Sequence, residues 1–243
     1  MAQIEHVRKV DDFIKLKLVL VSCTNKEGLV SNQRNNGLII NGLPENGLIG
    51  FIQKMNPEVQ FISTGGTYKL LKEAGINVME VAKYTKYPEM KTGLVKSLHP
   101  AIHAGILAHK YTESDDEFMK EQGLKYIDAV IVNFYALDAK AENEDSTFEM
   151  IRQTIDVGGP SMSHNARKAF ISTALITDPE NYPLLIEELR ANGGSISLST
   201  RINLAKKAST MITDYLKSVD RVIQNINIQQ LKDGYEISKG DSK

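Results

Sequence analysis

Val59 to Gly75 reads VQFISTGGTYKLLKEAG, and its pattern changes in the middle. Val59 to Ile62 is a short apolar run of the kind that forms a buried strand. Thr67 to Gly75 has helical spacing and ends in glycine, as helix C-termini often do. Ser63-Thr64-Gly65-Gly66 joins the two. The same rhythm recurs along the chain. Leu16–Val21 (LKLVLV), Ile76–Val81 (INVMEV), Asp128–Phe134 (DAVIVNF) and Ile171–Ile176 (ISTALI) read as further buried strands. Asp115–Gly123, Phe148–Ile155 and Asp178–Gly194 read as helices. Continuous apolar strands alternating with helices predict an α/β fold of three layers, a mostly parallel sheet covered by helices on both faces. Active sites in such sheets lie at the carboxyl ends of the strands.

The segments outside that rhythm set the expected boundaries. Residues 1–15 are charged and read as an N-terminal extension, and 16–198 as one α/β domain. Within it, 31–47 is rich in Asn and Gly and reads as an inserted loop or small hairpin. Residues 199–226 read as one long helix or a helix pair that crosses the domain or reaches a partner subunit, and 227–243 as a mobile tail. The 243 residues are 42% apolar, enough for a sizeable core. Lys and Arg number 29 against 30 acidic side chains, so any electropositive site has to be built locally. The single cysteine, Cys23, excludes an intrachain disulfide and a Cys-rich zinc site. With no long apolar run and no signal-like start, the expectation is a cytoplasmic chain with neither a membrane nor a nucleic-acid partner.

The chemistry-bearing residues fall near the expected strand ends. Gly65 and Gly66 let the backbone bring N–H groups towards an anion at a helix N-terminus, and Ser63 and Thr67 add hydroxyls. The same stretch also fits an ordinary strand-to-helix turn with Thr67 as its cap. Ser22, Thr24 and Lys26 repeat the arrangement after the first strand, where a capped turn with a solvated lysine is the plainer reading. Lys91–Leu107, KTGLVKSLHPAIHAGIL, groups Lys96, Ser97, His99 and His103 with no acidic residue in a stretch that follows neither helix nor strand periodicity. The spacing of His99 and His103 is one that binds zinc from a helix, but Pro100 and Gly105 argue against a regular helix throughout and no Cys or carboxylate accompanies them; no metal is expected. Asn133 and Tyr135 end a strand. Asp156 precedes a second Gly-Gly at Gly158-Gly159, and Lys168 stands twelve residues further on.

Taken in order, SCTNKEGL, STGGTYKLLKEAGI, YPEM, GLVKSLHPAIHAGILA, VNFY, IDVGGPSM and ALITDPENY resemble the IMP cyclohydrolase domain of the bifunctional purine-biosynthesis protein. The resemblance covers about residues 16–220 and implies a methylglyoxal-synthase-like fold. It implies a stand-alone enzyme that closes the purine ring of FAICAR to give IMP and water, a cyclic amidine hydrolase run in the ring-closing direction, without a cofactor or a folate site. It implies a monophosphate site at Ser22, Thr24, Lys26, Ser63, Gly65, Gly66 and Thr67. Lys96 matches a lysine beside the formyl oxygen and Asp156 an aspartate facing the carboxamide. Tyr135 and Lys168 match catalytic residues of the same pocket. Ser97 and His99 shape the loop around Lys96, and with Asn133 and Gly158 they complete the expected binding residues. A homodimer is implied, with the C-terminal helices at its contact.

The departures are specific. Leu94 stands where the family pattern has an arginine, Thr24 replaces a serine and Asn25 an aspartate. NFYAL replaces NLYPF, His164 takes an arginine's place, and KAF follows Arg167 instead of KNH. Leucine lacks the forked donors and fixed charge of a guanidinium. Two further readings therefore stand beside the first: a cyclohydrolase-like enzyme with an altered substrate, and a non-catalytic purine-nucleotide-binding module.

Overall fold

The computed structural model describes residues 5–134, 137–143, 145–238 and 240. In chain order the first elements are β1 (Phe13–Lys15), β2 (Leu18–Cys23), α1 (Gly47–Met55), β3 (Gln60–Ser63) and α2 (Gly65–Glu73). Next come β4 (Val78–Glu80), α3 (Val81–Thr85), α4 (Pro100–Leu107), α5 (Glu113–Glu121) and β5 (Ala129–Asn133). The remainder is α6 (Leu137–Ala141), α7 (Phe148–Thr154), α8 (Gly158–Lys168), β6 (Ala174–Ile176), α9 (Tyr182–Ala191), β7 (Ser195–Ser197), α10 (Leu198–Gln224) and α11 (Ile228–Gly234).

Five strands form the central sheet in the order β4-β3-β2-β5-β6, each pair parallel. The chain builds outwards from β2 through β3 to β4, then returns to the other side of β2 with β5 and β6. The order therefore reverses between β2 and β5, and the crevice at their carboxyl ends is where ligands bind in such sheets. Side chains alternate along each strand and divide the core in two. Val19, Val21, Ile131 and Ile176 pack on one face with Ile49, Ile52, Leu71 and Leu185 of α1, α2 and α9. Leu20, Ile62, Val130 and Leu175 pack on the other with Val81, Ile102, Met162 and Ala208 of α3, α4, α8 and α10. Both faces are covered, the three-layer α/β arrangement that the strand patterns predict.

Several elements differ from the sequence reading. Phe13–Lys15, within the expected extension, pairs antiparallel with Ser195–Ser197, a strand too short to leave an apolar period. The half of Lys91–Leu107 that looked irregular contains a helix. Pro100 occupies its first turn, where no N–H is needed, and His99 caps it by accepting the Ala101 N–H at Nδ1 (3.1 Å). Gly105 is not a breaker there: a Cβ on it would sit 2.8 Å from the Lys125 carbonyl oxygen, so glycine lets the loop before β5 pack against the helix. Residues 31–47 form a tight reversal with one bridge, Gln33 to Ile39, anchored where Arg34 meets Glu180 (2.5 Å). Residues 199–226 lie in one helix from Leu198 to Gln224 and the turn after it. The expected tail contains α11, opened by a capping box of Asn227 and Gln230, a signal readable in NINIQQ. No described helix is long and apolar enough to cross a membrane.

Arg201 fastens the periphery. Its guanidinium is fully buried and donates to five carbonyls: Asp11 (2.7 Å), Asp12 (2.8 Å), Phe170 (3.1 Å), Ile171 (3.1 Å) and Ile196 (2.7 Å). One side chain thus ties the segment before β1, the turn before β6 and strand β7 to α10. Arg201→Met keeps the stem but orphans these carbonyls, each worth about 1–3 kcal/mol if left dry. Urea unfolding is expected to show a loss of about 3 kcal/mol or more; a loss below about 0.5 kcal/mol would mean that water replaces the guanidinium.

Candidate functional site

Three buried side chains fix the carboxyl edge of the sheet. Ser63, at the end of β3, donates to the Val21 carbonyl at 2.7 Å. Thr67, in the first turn of α2, accepts the Cys23 N–H at 3.1 Å and donates to the Cys23 carbonyl at 2.9 Å. Asn133, at the end of β5, accepts the Asn25 N–H at 2.8 Å and donates to the Asn25 carbonyl at 2.9 Å. Together they close backbone groups at the end of β2 and in the loop after it. The hydroxyls of Ser63 and Thr67 and the oxygen and one N–H of the Asn133 amide therefore help to hold the edge together. These side chains place the loops around the sheet edge.

Two more hydroxyls lie just beyond, hydrogen-bonded to each other. The Ser22 and Thr64 hydroxyls are 3.2 Å apart, and Thr64, the N-cap of α2, makes no side-chain bond to its own helix. The sequence reading does not include Thr64, although its position just before the helix is the signal of an N-cap. Gly65 adopts φ +50°, a conformation most side chains avoid. Two ammonium groups flank the turn that follows. A Cβ on Gly65 would lie 3.3 Å from Lys96 Nζ, and one on Gly66 would lie 3.9 Å from Lys26 Nζ. Lys26 Nζ is held by the Thr24 carbonyl at 3.2 Å, so the first loop aims its lysine at the second. The start of α2 thus combines unpaired N–H groups, two hydroxyls and two cations, a cradle suited to an anion.

Lys96 reaches the cradle from a distorted loop. Val95 adopts φ +72°, costly for a β-branched residue. Lys96 pairs with Glu89 of the same loop. On the far side, Ser97 is buried with its Oγ against Gly158, 2.7 Å from where a Cβ would be. Asp156 accepts the Gly159 N–H at 3.0 Å, and its own N–H is held by the Tyr215 hydroxyl of α10 at 2.6 Å. Residues 96–97 therefore span the N-termini of α2 and α8, bringing Lys96, Ser97, Asp156 and Gly158 into one neighbourhood. Tyr215 was not foreseen; a buried tyrosine needs a hydroxyl partner, but the sequence does not name it. A cavity of about 360 Å3 opens beside Lys96, walled by Val81, Pro88, Met90, Leu94 and His99. Leu94 is 62% exposed at this cavity, so no side-chain charge stands at the position of the family arginine.

One expected residue falls elsewhere. Lys168 is exposed at the last turn of α8, opposite the end that holds Gly158. Ten residues of helix rise about 15 Å, so Lys168 does not join Lys96 and Asp156 within one chain. Tyr135 lies outside the described residues. His103 Nδ1 lies 2.6 Å from the Asn165 amide nitrogen, pinning α4 to α8 in a structural role.

This architecture is that of an MGS-like fold. Residues 47–161 match the family model described as MGS-like domain. The chain is 38% identical over 201 residues to the bifunctional purine biosynthesis protein PurH of Magnetococcus marinus, covering 83% of this chain and 34% of that protein. It is 41% identical over 181 residues to PurH of Neisseria meningitidis serogroup A, covering 71% and 34%. The chain therefore spans about a third of the length of these curated relatives. The crystal structure of ForH superposes with a TM-score of 0.70 at 28% identity, covering 86% of this chain and 99% of that one.

Two measurements follow from the geometry. Asn133→Leu strips Asn25 of both backbone bonds and is expected to cost about 2 kcal/mol in chemical unfolding; an unchanged midpoint would show the loop holds without them. Burial pushes the Asp156 carboxyl above its ordinary value of 3.8, while the N–H groups of Gly159 and Gly158 pull it back. Folding thus favours the protonated form. The stabilisation is full below pH 3.8 and is lost as pH rises through the raised folded value. Relative to Asp156→Asn, the wild type is expected to lose stability across that window and then level off. A difference that grows in the wild type's favour with pH would contradict the assignment.

Proposed function

We propose that this chain is an IMP cyclohydrolase that closes the ring of FAICAR. The observation that carries the reading is the anion cradle flanked by Lys26 and Lys96, with Asp156 in the same neighbourhood. The similarity to PurH supports it. In the proposed reaction the carboxamide nitrogen attacks the formyl carbon and gives up one proton. The formyl oxygen then leaves as water, taking a proton from the formamide nitrogen as the C=N bond forms. The phosphate lies on Gly65 and Gly66, with Ser22, Thr24, Thr64 and Lys26 around it and the Lys96 ammonium at its rim, from which the long side chain reaches the formyl oxygen as charge develops. Asp156 orients or deprotonates the carboxamide, for which a carboxyl raised by burial is a better base than an ordinary one. Lys96 stabilises the developing oxyanion. Intramolecular attack supplies proximity, and the chemistry calls for no redox or metal step. Lys168 has no catalytic role within one protomer. The protein acts in solution as a homodimer, with the apolar side chains exposed on α10 and α11, among them Leu216 and Ile228, at the contact.

Leu94 favours one second reading. With exposed Tyr87 and Met90 it makes an apolar rim at the cavity, which suits a related formamido-carboxamide with a less polar group at that end. Competition between FAICAR and such analogues distinguishes the two substrates.

The direct test is ring closure followed spectrophotometrically with FAICAR. Lys96→Ala is expected to slow turnover by about 100-fold or more while the fold is retained by circular dichroism. Near-normal turnover in that variant would remove Lys96 from the mechanism.

A further inference from the structure

Glu89 has no place in the reaction above, yet its carboxylate is the partner of Lys96. The two residues are seven apart and close a loop on themselves. Gly93 turns the loop at φ +75°, its N–H bonded to the Met90 carbonyl at 2.7 Å. Both side chains remain about 30% exposed, at 29% for Glu89 and 30% for Lys96, and both line the 360 Å3 cavity. Lys96 Nζ sits at the same time 3.3 Å from where a Cβ on Gly65 would be. The carboxylate therefore stands at the rim of the anion cradle, in contact with one of its two cations. A bound anion and Glu89 would compete for the same ammonium, and an unexchanged carboxylate would repel the anion.

We propose that Glu89 is a specificity-determining counter-ion of this site: it pairs with Lys96 and is exchanged for the negative charge that a phosphorylated ligand brings. The inference rests on reading Gly65 and Gly66 as a phosphate cradle. Exchange makes the site selective. A neutral ligand has nothing to offer Lys96 and leaves the internal pair intact; a dianionic phosphate replaces one carboxylate with a stronger partner. The cost of breaking the pair lowers the apparent affinity for every ligand that needs Lys96. The loop has the joints for the change, with left-handed backbone at Lys86 before the pair and at Gly93 and Val95 between its two members.

The test is calorimetric binding of IMP, inosine and inorganic phosphate at fixed ionic strength to wild type, Glu89→Gln, Lys96→Met and the double variant. Thermal unfolding confirms that each is folded. Glu89→Gln is expected to bind IMP and phosphate about 10-fold more tightly, and inosine no better than the wild type does. In the Lys96→Met background the gain from Glu89→Gln should shrink to less than about 3-fold, because the two substitutions act on one pair. IMP bound equally well or more weakly by Glu89→Gln overturns the counter-ion role and leaves the cradle standing. A tightening that persists in full without Lys96 also overturns it, since the effect would then be general charge repulsion. Failure of every variant to bind either IMP or phosphate removes the cradle reading and this inference together.

Discussion

A buried hydroxyl decides how the loops meet at the carboxyl edge of the sheet. Thr67 belongs to α2, yet its side chain substitutes for a neighbouring strand by taking both the N–H and the carbonyl of Cys23. Without it, two backbone groups where β2 leaves the sheet would be buried and unpaired, at about 1–3 kcal/mol each. Ser63 and Asn133 do the equivalent on either side. Because these contacts are buried and local, the positions of Ser22, Lys26, Gly65 and Gly66 are set by the sheet itself rather than by flexible side chains. Preorganisation of that kind is what an anion site needs, since donors held in place lose little entropy when the ligand arrives.

The loop carrying Lys96 has the opposite character. Val95 is strained, Leu94 and Val95 are largely exposed, and the only described ion pair of Lys96 is with Glu89. One half of the site is therefore a rigid cradle and the other an adjustable arm. The division suits a reaction in which a phosphate is gripped throughout while charge develops and disappears at the far end of the substrate. Asp156 lies between these regimes, its backbone fixed by Tyr215 and its carboxyl bonded, among the described residues, by the start of α8.

The sheet was legible because each buried strand is a continuous apolar run flanked by a helix-period segment; all five strands of the central sheet fall within three residues of their expected places. The misreadings have physical causes. β1 and β7 are three residues long and owe their existence to each other and to Arg201, a partnership between residues far apart in sequence. The helix Pro100–Leu107 hid behind a proline that helices accept at the first turn and a glycine required by the Lys125 carbonyl. At the site, the residue types and the two loops could be read from the sequence, but the direction of each side chain could not. Ser63 and Thr67 look like ligand donors in one dimension and in three help to hold the backbone of β2. Lys168 keeps its sequence spacing from Asp156, but the straight helix between them carries it away. Glu89 lies within YPEM, and nothing in its spacing shows that the loop folds it back onto Lys96.

The central claim is that the loops after β2 and β3 form one phosphate cradle. It is tested most directly by titrating isotope-labelled protein with IMP and, separately, with inosine, following backbone amide resonances. A shared cradle predicts that IMP shifts the amides of Gly65, Gly66 and the Thr24–Lys26 loop along one saturation curve, and that inosine, lacking the phosphate, leaves them nearly unmoved. Shifts confined to one loop, or equal shifts with inosine, would contradict it.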